Sequence, residues 1–339
     1  MILITGGTGL LGSHLLLALL REAGPLPIRA TTRILANSAK FEQIASFYPE
    51  SASRQLSSIE WVEADMTDED SIRSAMAGVT QVYHCAAAVT FDPKRAQELM
   101  TTNVEGTGLL VNIAIEQQVS KFCFVSSIAA IGGTNNTTSR NENMDWDAGR
   151  SRSYYSLSKY LSELEVWRGI AEGLPAVIVN PSVIIGPGIR GESSAAFFEL
   201  AQKELSRYVP GMTGFVDVRD VAEIMLSLMQ VGDWGQRYIL NSENMKYRDF
   251  FGLVCSSMGV KPPSKELPRY LAEIAWRAEW LRSKLTATPA RLTKMNVITS
   301  FEQSQYSSEK IIKRLNCTFI PMNDCIRHAA QRFIKNSED

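Results

Sequence analysis

The stretch Thr5-Gly6-Gly7-Thr8-Gly9-Leu10-Leu11-Gly12 constrains this chain more than any other. An apolar run of strand length, Ile2-Leu3-Ile4, precedes it. The run Leu15-Leu16-Leu17-Ala18-Leu19-Leu20 follows, too long and too rich in leucine and alanine for a second strand. Strand, glycine turn, helix is the context a dinucleotide-binding turn needs. Gly6 lets the chain leave the strand through a tight turn. Gly9, without a Cβ, lets a pyrophosphate approach the backbone, and Gly12 lets the helix pack close to the strand. The free N–H groups at the start of that helix, with Thr8, Leu10 and Leu11 beside them, then face two phosphates, helped by the helix dipole. The spacing is G-x-x-G-x-x-G, not the commoner G-x-G-x-x-G.

Downstream, the helix stops at Gly24-Pro25, and Ile28-Arg29-Ala30-Thr31-Thr32 reads as a second strand with Arg33 at its end. An acid there would accept a bond from the ribose 2′-hydroxyl of NAD. None is present. Arg33, with Lys40 a turn or two later, suits a 2′-phosphate instead, so NADP(H) is preferred while NAD(H) stays open. The third strand, Ser58 to Glu63, runs into Ala64-Asp65-Met66, where Asp65 is placed for the adenine amino group. Asp68 and the acids after it read as a helix cap. A fourth strand, Val79 to Ala88, ends in small residues, and Cys85, Ala86 and Ala87 let a cofactor lie against the backbone. His84 reads as a packing or hydrogen-bonding residue. Lys94 to Gln117 reads as one long helix, in which Gly106 and Gly108 imply close packing and Asn103 is placed to bond a neighbouring strand's backbone.

The fifth strand, Lys121 to Val125, ends at Ser126-Ser127, and a polar stretch from Gly133 to Arg152 (with Asn135 and Asn136) reads as a surface segment. Then comes Tyr154-Tyr155-Ser156-Leu157-Ser158-Lys159. Tyr155 and Lys159, four apart, share a helix face. Tyrosine-x-x-x-lysine is a cheap pattern, and Tyr306/Lys310 repeats it in the tail, where it reads as the start of a surface helix. Context separates the two, because only the first follows a hydroxyl at a strand end. Carbonyl reduction needs a proton carrier that works near neutral pH. A free tyrosine titrates near ~10; a nearby ammonium favours its phenolate. Tyr155 is therefore the expected general acid/base, Lys159 its electrostatic partner and a ribose ligand, and Ser127 the group that fixes the carbonyl oxygen.

Several classes are set aside by the bulk of the chain. Over 339 residues, 35 basic and 36 acidic side chains leave a net charge of −1, which offers no footprint for nucleic acid. No apolar run reaches membrane-spanning length, so no membrane partner is expected. Five cysteines without C-x-x-C fit free thiols in a reducing compartment. Three scattered histidines are too few for a zinc site. The expectation is a metal-free, cytoplasmic protein acting on a small molecule. After a strand at Ala176 to Asn180 the pattern loosens into helices at Ala195 to Arg207, Val216 to Gln230, Met245 to Met258 and Tyr270 to Lys284, with a short strand at Gln236 to Leu240. This tail suggests a small cap on the sheet's C-terminal edge.

In their order along the chain, Thr5 to Gly12, Asp65, His84 to Ala87, Asn103 to Thr107, Ser127, Tyr155/Lys159 and Asn180-Pro181 resemble the extended short-chain dehydrogenase/reductase family, also called the NAD-dependent epimerase/dehydratase family. Arg33 with Lys40, Val183 to Gly188 and Phe215 to Ala222 look most like its dihydroflavonol-reductase-like and 3β-hydroxysteroid-dehydrogenase-like branch. The resemblance implies an α/β fold: a Rossmann-like doubly wound parallel sheet at 1–180, with 215–240 returning to it. A smaller, mostly helical substrate-binding cap is implied at 181–214 and 241–339. It implies Ser127, Tyr155 and Lys159 as the catalytic triad. Cofactor contacts are implied at Gly6, Thr8, Gly9, Leu10, Leu11, Gly12, Arg33, Lys40, Asp65, Met66, Cys85, Ala86, Ala87, Asn103, Tyr155, Lys159, Pro181 and Val183, and substrate contacts at Ser127 and Asn180. The activity implied is hydride transfer between NADP(H) and a ketone or secondary alcohol of a small hydrophobic molecule. The alternative is a nucleotide-sugar epimerase or dehydratase with tightly bound NAD. Epimerases of the family usually carry an arginine where Thr213 and Gly214 stand, which lowers that alternative, whereas Asn180 matches one of their residues. Dimerisation through the helix holding Tyr155 is common in the family, and a homodimer stays open.

Overall fold

The computed structural model describes residues 1–22, 26–48, 56–133, 139–147, 153–286, 288, 290 and 292–335. The Gly24-Pro25 helix stop lies outside them, as do Asn135, Asn136 and Arg152 of the polar stretch. In chain order the strands are β1 (Ile2–Thr5), β2 (Ile28–Thr32), β3 (Ile59–Glu63), β4 (Gln81–His84), β5 (Lys121–Val125), β6 (Ala176–Pro181), β7 (Val183–Ile185), β8 (Arg207–Tyr208), β9 (Met212–Asp217), β10 (Gln236–Leu240), β11 (Glu243–Lys246) and β12 (Lys265–Glu266). The α-helices are α1 (Leu10–Glu22), α2 (Ala39–Ala45), α3 (Glu69–Met76), α4 (Ala96–Leu99), α5 (Gly106–Glu116), α6 (Tyr154–Ala171), α7 (Ala195–Gln202), α8 (Val218–Val231), α9 (Tyr247–Met258), α10 (Arg269–Thr286), α11 (Lys294–Phe301), α12 (Glu309–Leu315) and α13 (Met322–Lys335).

Seven strands form one parallel sheet in the order β10-β6-β5-β4-β1-β2-β3. Both faces are covered, which is why its central strands β1, β5 and β6 read as mostly apolar runs. In β6, Val177 and Val179 join the core beneath α1 and α8, while Ala176 and Ile178 join the core beneath α3, α5 and α6. The order of strand addition reverses at β1, whose neighbours are β2 on one side and β4 on the other. A crevice at such a switch point, outside the carboxyl ends of the strands, is where doubly wound sheets hold ligands.

Beyond β6 the chain builds a second layer. A three-stranded sheet, β11-β9-β7, packs with α7, α9 and α13 around Phe198, Phe215, Phe250 and Phe333. The long helix read from Lys94 to Gln117 is interrupted: Met100–Glu105 is a π-helical turn between α4 and α5. Gly106 follows, and a Cβ there would lie 2.7 Å from the Met66 carbonyl. The stretch read as surface is not all surface, because Arg140 and Glu142 are buried. Tyr306 is buried too, not a surface helix start. Arg140 donates to its hydroxyl at 3.2 Å, and Lys310 donates to Gln236 and to the Arg237 carbonyl.

Candidate active site

The glycine turn is built tightly. Gly6 has φ +69°, the left-handed region that favours glycine, and a Cβ on it would sit 2.9 Å from the Ala86 backbone. A Cβ on Gly12 would drive into the Gly6 carbonyl. Gly9, one residue before α1, meets only that carbonyl at 3.4 Å and is otherwise open. Thr5 Oγ1 accepts from the Ala86 amide at 3.1 Å and hydrogen bonds with His84 Nδ1 at 2.7 Å, while His84 Nε2 reaches Thr107. His84 thus ties β1 to β4 and α5. Burial lowers its pKa to about 3, so it stays neutral.

Along the carboxyl ends of β1 to β4 runs a crevice of about 690 Å³, within the usual range for ligand pockets. Gly6, Thr8, Gly9, Arg33, Lys40, Asp65, Met66, Cys85, Ala86 and Ala87 line it. An open glycine at a helix N-terminus, a floor of small residues and an acid at the far wall fit a dinucleotide. Burial pushes the Cys85 thiol up to about 12, which leaves it an uncharged wall residue. Thr31, Thr32, Glu98 and Glu192 also line the crevice and went unread in the sequence. Glu192 matters most: Lys40 Nζ lies 2.6 Å from its carboxylate. Leu10, Leu11 and Gly12 open α1, Pro181 ends β6 and Val183 begins β7, set back from this lining. Another cavity, of about 660 Å³, lies at the opposite ends of the strands between Leu19, Ile28, Leu226 and Met229, away from the switch point.

Ser127 follows β5, and its Oγ accepts from the Ala129 amide at 3.1 Å. That leaves its hydroxyl proton available toward Tyr155, whose phenol it faces. Tyr155 lies in the first turn of α6, capped by Ser153, and its ring meets Phe91 edge-on at 5.7 Å. Burial raises the phenol's pKa, and the neighbouring Ser127 hydroxyl works against that rise. Lys159, one turn on, is buried. Its Nζ donates to the Val125 carbonyl at 2.9 Å, so its bond goes to β5 and not to the phenol. Burial lowers its pKa to about 8, against the pull of Cys85 and Glu163.

Asn103 is buried, outside the crevice lining. Its Oδ1 accepts from the Ala88 amide at 2.7 Å; its Nδ2 donates to the Ala88 carbonyl and to Ser158 Oγ, both at 3.0 Å. Asn180 is also fully buried. Its Nδ2 donates to Glu163 at 2.8 Å and to the Ser127 carbonyl at 3.1 Å. Glu163 is the hub the sequence reading missed. It accepts from Ser126 at 2.7 Å and Arg237 at 2.9 Å as well, beneath Lys159 on the same helix. Its only sequence signal is the i,i+4 spacing from Lys159, which on most helices marks a surface pair.

The switch-point crevice with a serine–tyrosine–lysine cluster beside it defines a dinucleotide-binding protein of the doubly wound α/β class. The model of the NAD dependent epimerase/dehydratase family matches residues 2–240, and the chain belongs to that family. It is 32% identical over 244 residues to "Sterol demethylase protein B" of Methylococcus capsulatus, covering 71% of this chain and 70% of that protein. It is 28% identical over 319 residues to a "Putative dihydroflavonol 4-reductase" of Synechocystis, covering 92% and 88%. The solved structure of gox2253 superposes with a TM-score of 0.79 at 28% identity, covering 99% of this chain and 98% of that one.

Proposed function

We propose that this protein is an NADP(H)-dependent oxidoreductase acting on a ketone or secondary alcohol of a small hydrophobic molecule. The placement of the Ser127 hydroxyl beside Tyr155, one helical turn from the buried Lys159 and next to the glycine-lined crevice, carries this reading. When bound, the nicotinamide supplies or accepts the hydride. Tyr155 holds the proton at its phenolic oxygen and exchanges it with the substrate oxygen. Ser127, fixed by the Ala129 amide and by Asn180 behind it, orients that oxygen. Lys159, one helical turn from Tyr155, would supply the positive charge that favours phenolate as the proton leaves. Arg33 and Lys40 would hold a 2′-phosphate, and Asp65 the adenine. A sterol and a dihydroflavonol in the names of two relatives point to a hydrophobic substrate. Five free thiols suit a reducing compartment, so we place the protein in the cytoplasm.

Tyr155→Phe is expected to cut turnover by roughly a hundred- to ten-thousandfold while dinucleotide binding, followed by fluorescence titration, stays intact. Full activity in that variant overturns the proposal. A second reading, nucleotide-sugar epimerisation with tightly held NAD, draws on Glu98 and Glu192 in the crevice, since acids suit a free 2′-hydroxyl. NAD copurifying with the protein, together with epimerised UDP-sugar, would favour it.

A further inference from the structure

Helix α10 has its apolar stripe on the wrong side for a solvated helix. Ala272 and Ser283 are its buried residues. At 100° per residue these two lie within about 20° of one another. Tyr270, Ile274, Leu281 and Leu285 fall within roughly 60°, centred on the opposite side. They are 65%, 60%, 52% and 78% exposed, and Trp280 on their flank is 50% exposed. A helix on a water-facing surface turns its charges outward and its apolar residues to the core. Single exposed apolar residues are ordinary; four large ones sharing one side of a helix over about four turns mark an interaction surface.

Charge and aromatic placement say what that surface meets. Arg269, Arg277, Arg282 and Lys284 against Glu273 and Glu279 leave +2 on this helix, so the rest of a chain of net charge −1 carries −3. Lys284 Nζ lies 4.2 Å over the Trp280 ring, and the Arg277 guanidinium 4.6 Å over that of Trp276. Apolar residues on one side, with the Trp280 indole and the Arg277 and Lys284 cations along the edge, are the dress of a helix lying in a lipid interface. There the ring sits at headgroup level and the cations meet lipid phosphates. The stripe also stands near the candidate site. Lys94 Nζ donates to Ser283 Oγ at 3.1 Å, tying α10 to the segment that holds Phe91 against Tyr155.

We propose that α10 seats this protein on an anionic bilayer surface, with Tyr270, Ile274, Leu281 and Leu285 turned toward the acyl chains. The expectation of no membrane partner rests on spanning length, and a helix lying in the interface needs none. No helix among the described residues is long and apolar enough to cross a membrane. The surface is independent of the dinucleotide reading, because vesicle binding is measured with neither cofactor nor substrate present.

The test is co-sedimentation of the full chain with vesicles of phosphatidylcholine alone and of phosphatidylcholine with phosphatidylglycerol. The parent should bind the mixed vesicles, release in high salt, and show a blue shift of tryptophan emission on binding. Leu281→Glu with Leu285→Glu should lower the bound fraction about tenfold at unchanged circular dichroism and Tm, since both side chains are solvent-exposed. Arg277→Glu with Lys284→Glu should weaken binding to the mixed vesicles as well. Failure of the parent to bind the mixed vesicles, or undiminished binding by both double variants, overturns the proposal. A dimer in analytical ultracentrifugation that the leucine variant dissociates would give the face to a second copy of the chain and overturn it equally.

Discussion

Lys40, the cation placed for a 2′-phosphate, is already engaged by Glu192, and the pair is partly exposed. A 2′-phosphate entering the crevice must therefore draw Lys40 from that carboxylate and sit beside a like charge. At about 4 Å in water, one charge pair is worth on the order of 1 kcal/mol. Under the NADP(H) proposal, Glu192→Gln should thus tighten NADPH binding roughly fivefold and leave NADH nearly unchanged, as read by quenching titrations. If the variant instead loses NADH affinity, Glu192 holds a ribose hydroxyl and the NAD reading gains. Residues of this kind separate what the sequence carries from what it does not. Ser127, Tyr155 and Lys159 are legible because their order and spacing follow the strand and helix that present them. Glu192 and Glu163 are not. Each is an acid whose partner lies in another element or whose burial no spacing reveals, with Lys40 and Glu192 separated by 152 positions.

At the scale of elements, the π-turn at Met100–Glu105 joins fold to site. Regular α-helical bonding would take up the Asn103 carbonyl; here the Ser162 hydroxyl donates to it at 2.7 Å. The Asn103 side chain meanwhile clasps Ala88 beyond β4 and Ser158 in α6. One turn of helix thereby sets the spacing between the crevice wall and the helix of Tyr155 and Lys159, as π-turns at functional sites often do. Asn103→Ala removes three side-chain bonds and leaves the half-buried amide and carbonyl of Ala88 without these partners. It should cost about 2 to 3 kcal/mol in urea denaturation, and a loss below about 0.5 kcal/mol would show that the clasp carries no weight. The sequence placed a helix there but not its break, because a π-turn depends on tertiary bonds and not on propensity. The same contrast runs through the sheets. Strands buried on both faces stand out as apolar runs between turn signals. The second layer's β7 has only three residues, and β11, Glu243-Asn244-Met245-Lys246, is mostly polar. Helix α13 shows the reverse: Met322, Cys325, Ile326, Ala329, Ala330 and Phe333 follow a plain helical period, a signal present in the tail and left unread.

Over the whole molecule, the three histidines make folding sensitive to acid. His14, in α1, donates from Nδ1 to the Leu10 carbonyl at 2.7 Å, so its Nε2 accepts from Tyr48 Oη at 2.9 Å. Tyr48 in turn lies 5.7 Å from His328 of α13, which joins the first helix of the chain to the last. Burial lowers His14 and His328 to about 4, with Asp217 opposing and Arg219 adding to the shift, and lowers His84 to about 3. All three fall below their unfolded value near ~6.5. Between that value and the folded ones the unfolded chain binds more protons, so stability falls as pH drops. A fully buried histidine contributes a slope of about 1.4 kcal/mol per pH unit. Asp220 works the other way: burial raises it to about 6, so the folded state gains a proton there between pH 6 and its ordinary value. Three groups against one leave a net loss. Tm is expected to be nearly level above pH 6.5, within the reach of these groups, and to fall steadily toward pH 4. His14→Gln, which keeps a donor for Leu10 and an acceptor for Tyr48, should start from a slightly lower Tm at pH 7 and lose less of it on acidification. A variant whose Tm falls in parallel with the parent's would show that His14 is not among the groups that set the acid limit.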